Sequence, residues 1–407
     1  MKTTLRIIPL ACAFLVLTST AGAAGSDGFV LQDYLGRSWS NELVTFALTE
    51  AQLQHAKAGH ALVAPDGRGT LYQLYSSGRD EIRFLADLGP FAAREYQFAD
   101  FATNVATDLK VEETPELIRV TNSRIGLAIR KKLKGRDGPF AGVRLASGKW
   151  VGASSLTGLT TTAWSAEVTA NGPAYAGVLC GGEFEKGSFR LRIRIQAGEP
   201  VIVVDEMAEV DVAEAALLFT VNADFAADRL FYRRGFQDAG GVTGNVEAWQ
   251  VTAGDKDPAF VLEPWLHWQT RVRQGNWFSL YSEQEPDMLT VGALRPDIWV
   301  DVNRPREIQA RPELRLVQDG ARLVLQFPLK HGLRRWLIGT HDRAASLAVL
   351  QDKDLQRATI PQQSVIKHGN FPLDMVKGYI FTWGERRGGH PSLRRPRLLL
   401  TKDDVGA

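Results

Sequence analysis

The stretch Phe189-Arg190-Leu191-Arg192-Ile193-Arg194-Ile195 constrains the fold more than any other part of the chain. Apolar residues and arginines alternate there with a period of two. An extended strand sorts such a pattern onto two faces, and a helix does not. The reading is a half-buried antiparallel strand, with Phe189, Leu191, Ile193 and Ile195 inward and the three arginines on the opposite face. A basic stripe on a sheet invites an anionic ligand. The plainer expectation is that acids on the following run, Pro200 to Glu209, face it as cross-strand partners, and Asp205, Glu206 and Glu209 supply them.

A strand that is apolar on one side needs neighbours and a covering layer. Further strands are predicted at Leu43–Thr49, Leu71–Tyr75, Glu81–Asp87, Leu117–Asn122, Ile125–Lys131, Ala215–Asn222, Asn276–Tyr281, Glu313–Val317 and Arg322–Phe327. Turn signals separate them, among them Pro65-Asp66-Gly67, Arg136-Asp137-Gly138-Pro139, Asn171-Gly172-Pro173 and Gln318-Asp319-Gly320. The expected class is all-β and mainly antiparallel, a large β-supersandwich with short helices near the C-terminus at Asp352–Arg357 and Leu373–Trp383. The expected division is a leader over 1–23, an N-terminal β subdomain over 24–140 and a β-sandwich domain over 141–385. Residues 386–407 would be a basic linker and the start of a helical domain.

The leader rests on Lys2 and Arg6, an apolar run from Ile7 to Leu17, and small residues ending Ala21-Gly22-Ala23-Ala24. That is the layout of a secretory signal peptide. The run is far shorter than the roughly 20 residues that span a bilayer. A secreted or periplasmic protein follows, with no membrane association after cleavage. Removing the leader leaves 46 basic and 46 acidic residues, a balance that does not suggest nucleic-acid binding. It also leaves one cysteine, Cys180, expected as a small buried hydrophobe.

Common site motifs are missing. There is no GxGxxG after a strand, no GxxxxGK[ST], HExxH, CxxC or GxSxG. Asp255-x-Asp257 and Asp352-x-Asp354 lack the further acids of a calcium loop. Neither a cofactor nor a metal is expected.

What remains is aromatic and basic. Six of the ten tryptophans lie at or beyond position 265. Trp265, His267, Trp268, Arg271, Arg273 and Trp277 form one group; Arg334, Arg335 and Trp336, next to His331, form another. Tryptophan offers a flat platform for the C–H face of a sugar. Arginine and histidine offer donors for its hydroxyl rim, and arginine adds charge for uronates or sulfates. These nine residues, Trp265 to Trp277 and Arg334 to Trp336, are the expected glycan-binding set. The competing expectation is that the tryptophans are core. His267, Tyr281 and His331 are the candidate bases should the chain itself be catalytic.

The segment Val120-Thr121-Asn122-Ser123-Arg124-Ile125-Gly126-Leu127, with Asn171-Gly172-Pro173 leading into Phe189–Ile195 and Pro200–Glu206, resembles the β-supersandwich of galactose-mutarotase-like type. Such domains accompany (α/α) toroids in polysaccharide lyases and glycoside hydrolases. The tail, His390-Pro391 followed by Arg395-Pro396-Arg397-Leu398-Leu399-Leu400-Thr401, resembles the segment that opens the toroid of heparinase-like lyases. The resemblance implies an exported β domain that binds or shapes a polysaccharide cleft, with catalytic residues mostly in the helical part. A polysaccharide or oligosaccharide, acidic in one version, would be the partner. Two alternatives stay open: a free-standing glycan-binding or structural protein, and a complete β-only lyase.

Overall fold

In the computed structural model the described residues are 28–33, 39–76, 78–100, 105–210, 212–221, 223–238, 241–250, 260–262, 277–294, 314–319, 322–329 and 332–348. Nearly all regular structure among them is antiparallel sheet, as the alternation predicts. Every predicted strand has a counterpart, shifted by a few residues at its ends; Leu43–Thr49, for example, is observed as Trp39–Ala47.

A nine-stranded sheet dominates. Its order is Thr161–Asn171, Tyr175–Phe184, Gly187–Gln196, Val201–Val210, Gly332–Asp342, Asp287–Leu294, Trp277–Tyr281, Arg229–Asp238, Gly241–Gln250. The first four strands are consecutive hairpin neighbours. The fifth, Gly332–Asp342, comes from far along the chain and pairs with Val201–Val210 on one side and Asp287–Leu294 on the other.

Two five-stranded sheets share the core with the large one. One contains Leu117–Thr121, Gly126–Arg130 and Phe140–Arg144; the other contains Ala216–Val221 and Arg322–Pro328. Ile118, Leu127 and Phe140, then Leu217, Phe219 and Phe327, meet Phe189, Leu191, Ile193 and Ile195 in one continuous apolar cluster. The predicted inward residues of the alternating strand are thus all in the core, and Arg190 and Arg192 on its other face are exposed. Cys180 is buried in the same cluster, and burial pushes its thiol well above the ordinary range. Strands on either side of position 140 share one sheet and contribute to this cluster.

A smaller N-terminal part holds a four-stranded and a three-stranded sheet around Phe29, Trp39, Phe84 and Tyr96. The buried Asp33 carboxylate accepts from the Trp39 indole at 3.0 Å and from the Phe91 amide at 2.7 Å. Leu85, Ala174, Tyr175 and Ala197 form a third cluster that joins this part to the sandwich.

Asp352–Arg357 and Leu373–Trp383 lie outside the described residues. The described α-helices are Glu50–Lys57 and Arg343–Ala348. The first begins where Leu43–Thr49 is predicted to end as a strand. Thr49 and Gln52 form a reciprocal capping box, Thr49 Oγ1 accepting from the Gln52 amide and Gln52 Oε1 from the Thr49 amide.

Candidate functional site

The strand Val201–Val210 sits at the centre of the large sheet, where acids and arginines meet in register. Adjacent residues of a strand point to opposite faces. Asp205 and Glu206 are therefore separated, and only one of them can meet the arginine stripe. Asp205 lies opposite Arg192 on one side and Arg335 on the other. Arg335 grips it with two donors, Nη2 to Oδ2 at 3.0 Å and Nε to Oδ1. Glu206 lies opposite Leu191 and is fully buried on the core face, and Glu209 lies opposite Ser188. Of the three acids expected to partner the stripe, Asp205 alone is directly opposite one of its arginines.

Glu206 has partners of its own. Arg334, its Cα partner on the next strand, donates through Nε at 2.9 Å and through Nη2 to the same oxygen. The Trp336 indole donates to the other oxygen at 3.0 Å. All three side chains are buried. A carboxylate and a guanidinium out of water need several such bonds to offset desolvation.

This placement corrects part of the expected glycan set. Trp336 is fully buried, packed at 4.6 Å against the Phe327 ring and edge-on to Phe140 at 6.2 Å. It has no face left for a sugar. Arg334 is buried beneath the sheet with it, and Arg335 is largely covered on the opposite face. The local run of arginines and tryptophan arises from a strand that puts alternate residues on two faces, not from one open platform.

The other expected residues divide simply. Trp265, His267, Trp268, Arg271, Arg273 and His331 lie outside the described residues. Trp277 begins the strand Trp277–Tyr281, in register with Gly292. Tyr281 is buried, and burial raises its phenol, the reverse of what a general base requires.

The open part of the large sheet is its outer face around Gly187–Gln196. Arg190 and Arg192 are exposed and Arg194 is half-buried. Alternate residues of a strand stand about 6.5 to 7 Å apart, so the three arginines leave the strand at even intervals on one face. The next strand opposes them with Gly181, Leu179 and Gly177. Relief there is low, because the stem of Arg190 lies over Gly181: a Cβ at Gly181 would come 2.9 Å from Arg190 Cγ. Glu167, opposite Leu179, and Asp205, opposite Arg192, mark the two sides of the row. This arrangement holds no nucleophile or acid–base pair; what it presents is positive charge, with Arg192 and Arg194 already engaged in interactions within the chain.

The void beneath Trp336 is lined only by apolar side chains, among them Phe140, Phe219, Leu289 and Phe327, so it offers no polar group to a substrate. Elsewhere among the described residues, His55, His60 and Asp100 come together as possible metal ligands. The sequence expectation, which weighed only Asp-x-Asp pairs, misses this group. Its signal is His55-Ala56-Lys57-Ala58-Gly59-His60, a helix end with glycine before the second histidine.

No family model matches the chain, and no curated protein matches it. Among solved structures it overlays on a protein in glycosyl hydrolase family 38 from Enterococcus faecalis. The TM-score is 0.43 at 8% identity, covering 82% of this chain and 46% of that one. It also overlays on an alpha-mannosidase from Enterococcus faecalis V583, with TM-score 0.43 at 9% identity, covering 82% of this chain and 45% of that one. The chain spans less than half the length of either structure.

Proposed function

We propose that the chain is an exported, glycan-contacting β module of a polysaccharide-degrading enzyme. The outer face of its large sheet receives an acidic polysaccharide, and the chain's role is to bind or shape the cleft. The observation that carries this reading is the exposed pair Arg190 and Arg192 beside the low strip Leu179 and Gly181, with Arg194 half-buried at its end. An extended polysaccharide is flat and needs a shallow surface. Its carboxylates or sulfates are matched by forked guanidinium donors. The aromatic and basic group from Trp265 to Arg273, with Trp277, is proposed to extend the same contact.

The test is binding of the purified chain to polygalacturonate, a sulfated glycan and neutral xylan at two salt concentrations. Acidic polymers are expected to bind in a salt-sensitive manner. The double substitution Arg190→Ala with Arg192→Ala is expected to weaken binding about tenfold or more, equivalent to ~1.4 kcal/mol. Equal affinity for the neutral polymer, or an unaffected double variant, would overturn the reading.

A further inference from the structure

The helix Glu50–Lys57 ends in a complete Schellman motif. Gly59, at φ +80, donates its amide to the Ala56 carbonyl at 3.1 Å, and the His60 amide reaches back to the His55 carbonyl at 3.1 Å. This closure brings the side chain two residues past the cap onto the last inward turn. The two positions it joins usually hold an apolar pair. Here they hold two imidazoles, His55 and His60, with ring centroids 4.9 Å apart and Nδ1 facing Nδ1 at 2.9 Å. Asp100, just past the strand Ala93–Ala99, adds a carboxylate oxygen 3.4 Å from His60 Nδ1. All three ligand atoms lie within 4.8 Å of one another.

We propose that His55, His60 and Asp100 form a site for a divalent transition cation of the zinc class, bound through both Nδ1 atoms and one carboxylate oxygen. Water would complete the shell. Two ligands at 2.0–2.1 Å from a tetrahedral centre stand about 3.4 Å apart. The His60–Asp100 separation has that value, and the two imidazole nitrogens need to part by roughly 0.5 Å. Without a cation, one ring must donate and the other accept, so only one of the two lone pairs is used. A cation uses both and leaves each Nε2 as an N–H. Imidazole with a single carboxylate suits zinc, copper, nickel or cobalt, whereas calcium and magnesium seek mostly oxygen.

The surroundings hold both rings in place. Tyr72 Oη donates to the His60 carbonyl at 2.7 Å. The Phe98 ring stacks against His55 at 6.1 Å and is met edge-on by Tyr72 at 5.7 Å. His55 and His60 are half-buried and Asp100 is exposed, which leaves a route for the ion and room for water. The site lies in the smaller N-terminal part and does not depend on the glycan reading.

The test uses the untagged, metal-stripped chain. Titration with zinc chloride by calorimetry is expected to show one ion per chain, and cobalt(II) is expected to give visible absorption bands from a site with nitrogen and oxygen ligands. Replacing His55→Leu and His60→Leu together restores the apolar pair that the helix end accepts, so the fold should persist while binding is lost. Asp100→Asn is expected to weaken zinc about tenfold. His60→Asn keeps a polar side chain and serves as the decisive variant should the double replacement not fold. No saturable binding by the folded chain, or binding undiminished in these variants, overturns the site. Equal competition by calcium or magnesium overturns the assigned metal class.

Discussion

At the scale of single residues, the central strand shows how one step in sequence changes an environment. Asp205 and Glu206 are neighbours, and each is held by an arginine from the same partner strand. One pair faces outward; the other is sealed in the core with Trp336. Removing half of the sealed pair leaves a buried charge uncompensated, so Arg334→Met should cost about 3–5 kcal/mol in urea denaturation. Adding Glu206→Leu to that variant should recover most of the loss, because a buried ion pair and a well-packed apolar pair are often close in energy. A double variant as unstable as the single one would show that Glu206 serves some other purpose. The sequence shows Arg334-Arg335-Trp336 as a basic and aromatic cluster but does not show the burial. Glu206 lies 128 positions before Arg334, and no local pattern joins them.

Individual elements were more legible. Phe189–Ile195 states its own two faces, since apolar burial and charge exposure each follow from period-two geometry. The strand ends and the first helix were less so. Thr49 and Gln52 spell a capping box, but the apolar alternation running up to Thr49 reads as a continuing strand. Helix and strand signals overlap there, and the cap decides. The hairpin between Tyr175–Phe184 and Gly187–Gln196 turns on Gly187, at φ +113, where a Cβ would lie 2.0 Å from the Glu209 carbonyl oxygen. That contact is with backbone, so no rotamer change relieves it. Gly187→Ala is expected to destabilise the chain by at least ~2 kcal/mol, read as a lower melting temperature. An unchanged melting temperature would mean that the hairpin tolerates a different turn.

At the scale of the whole molecule, the two parts are tied by specific polar contacts as well as by apolar packing. Asn41, at φ 55, donates to the Ala197 carbonyl at 2.8 Å and to Glu199 at 2.9 Å, and Arg83 donates to the Tyr175 hydroxyl at 2.8 Å. The acid response of the whole chain has an identified contributor in His341. This ring is buried, and burial lowers its pKa to about 3, outweighing a backbone interaction with Thr340 that raises it. The folded state therefore binds the proton less readily than the unfolded state, whose histidine titrates near ~6.5. Stability is lost progressively as pH falls from about 6.5 toward 3. Between pH 7.5 and 5 this one residue should contribute a loss of about 2 kcal/mol. His341→Leu is expected to flatten the dependence by that amount in denaturant titrations at the two pH values; parallel curves for both chains would rule it out.

The order of strands in the large sheet also sets a timetable. Val201–Val210 finds one neighbour in the hairpin just before it, while its other neighbour, Gly332–Asp342, is made much later. With 128 positions between Glu206 and Arg334, that edge stays open until a long further stretch of chain is in place. An unpaired central strand is a template for unwanted pairing. This one carries two adjacent carboxylates, one on each face, beside its waiting edge. Like copies meeting there repel one another, and the strand that brings two arginines in register is the one that neutralises both.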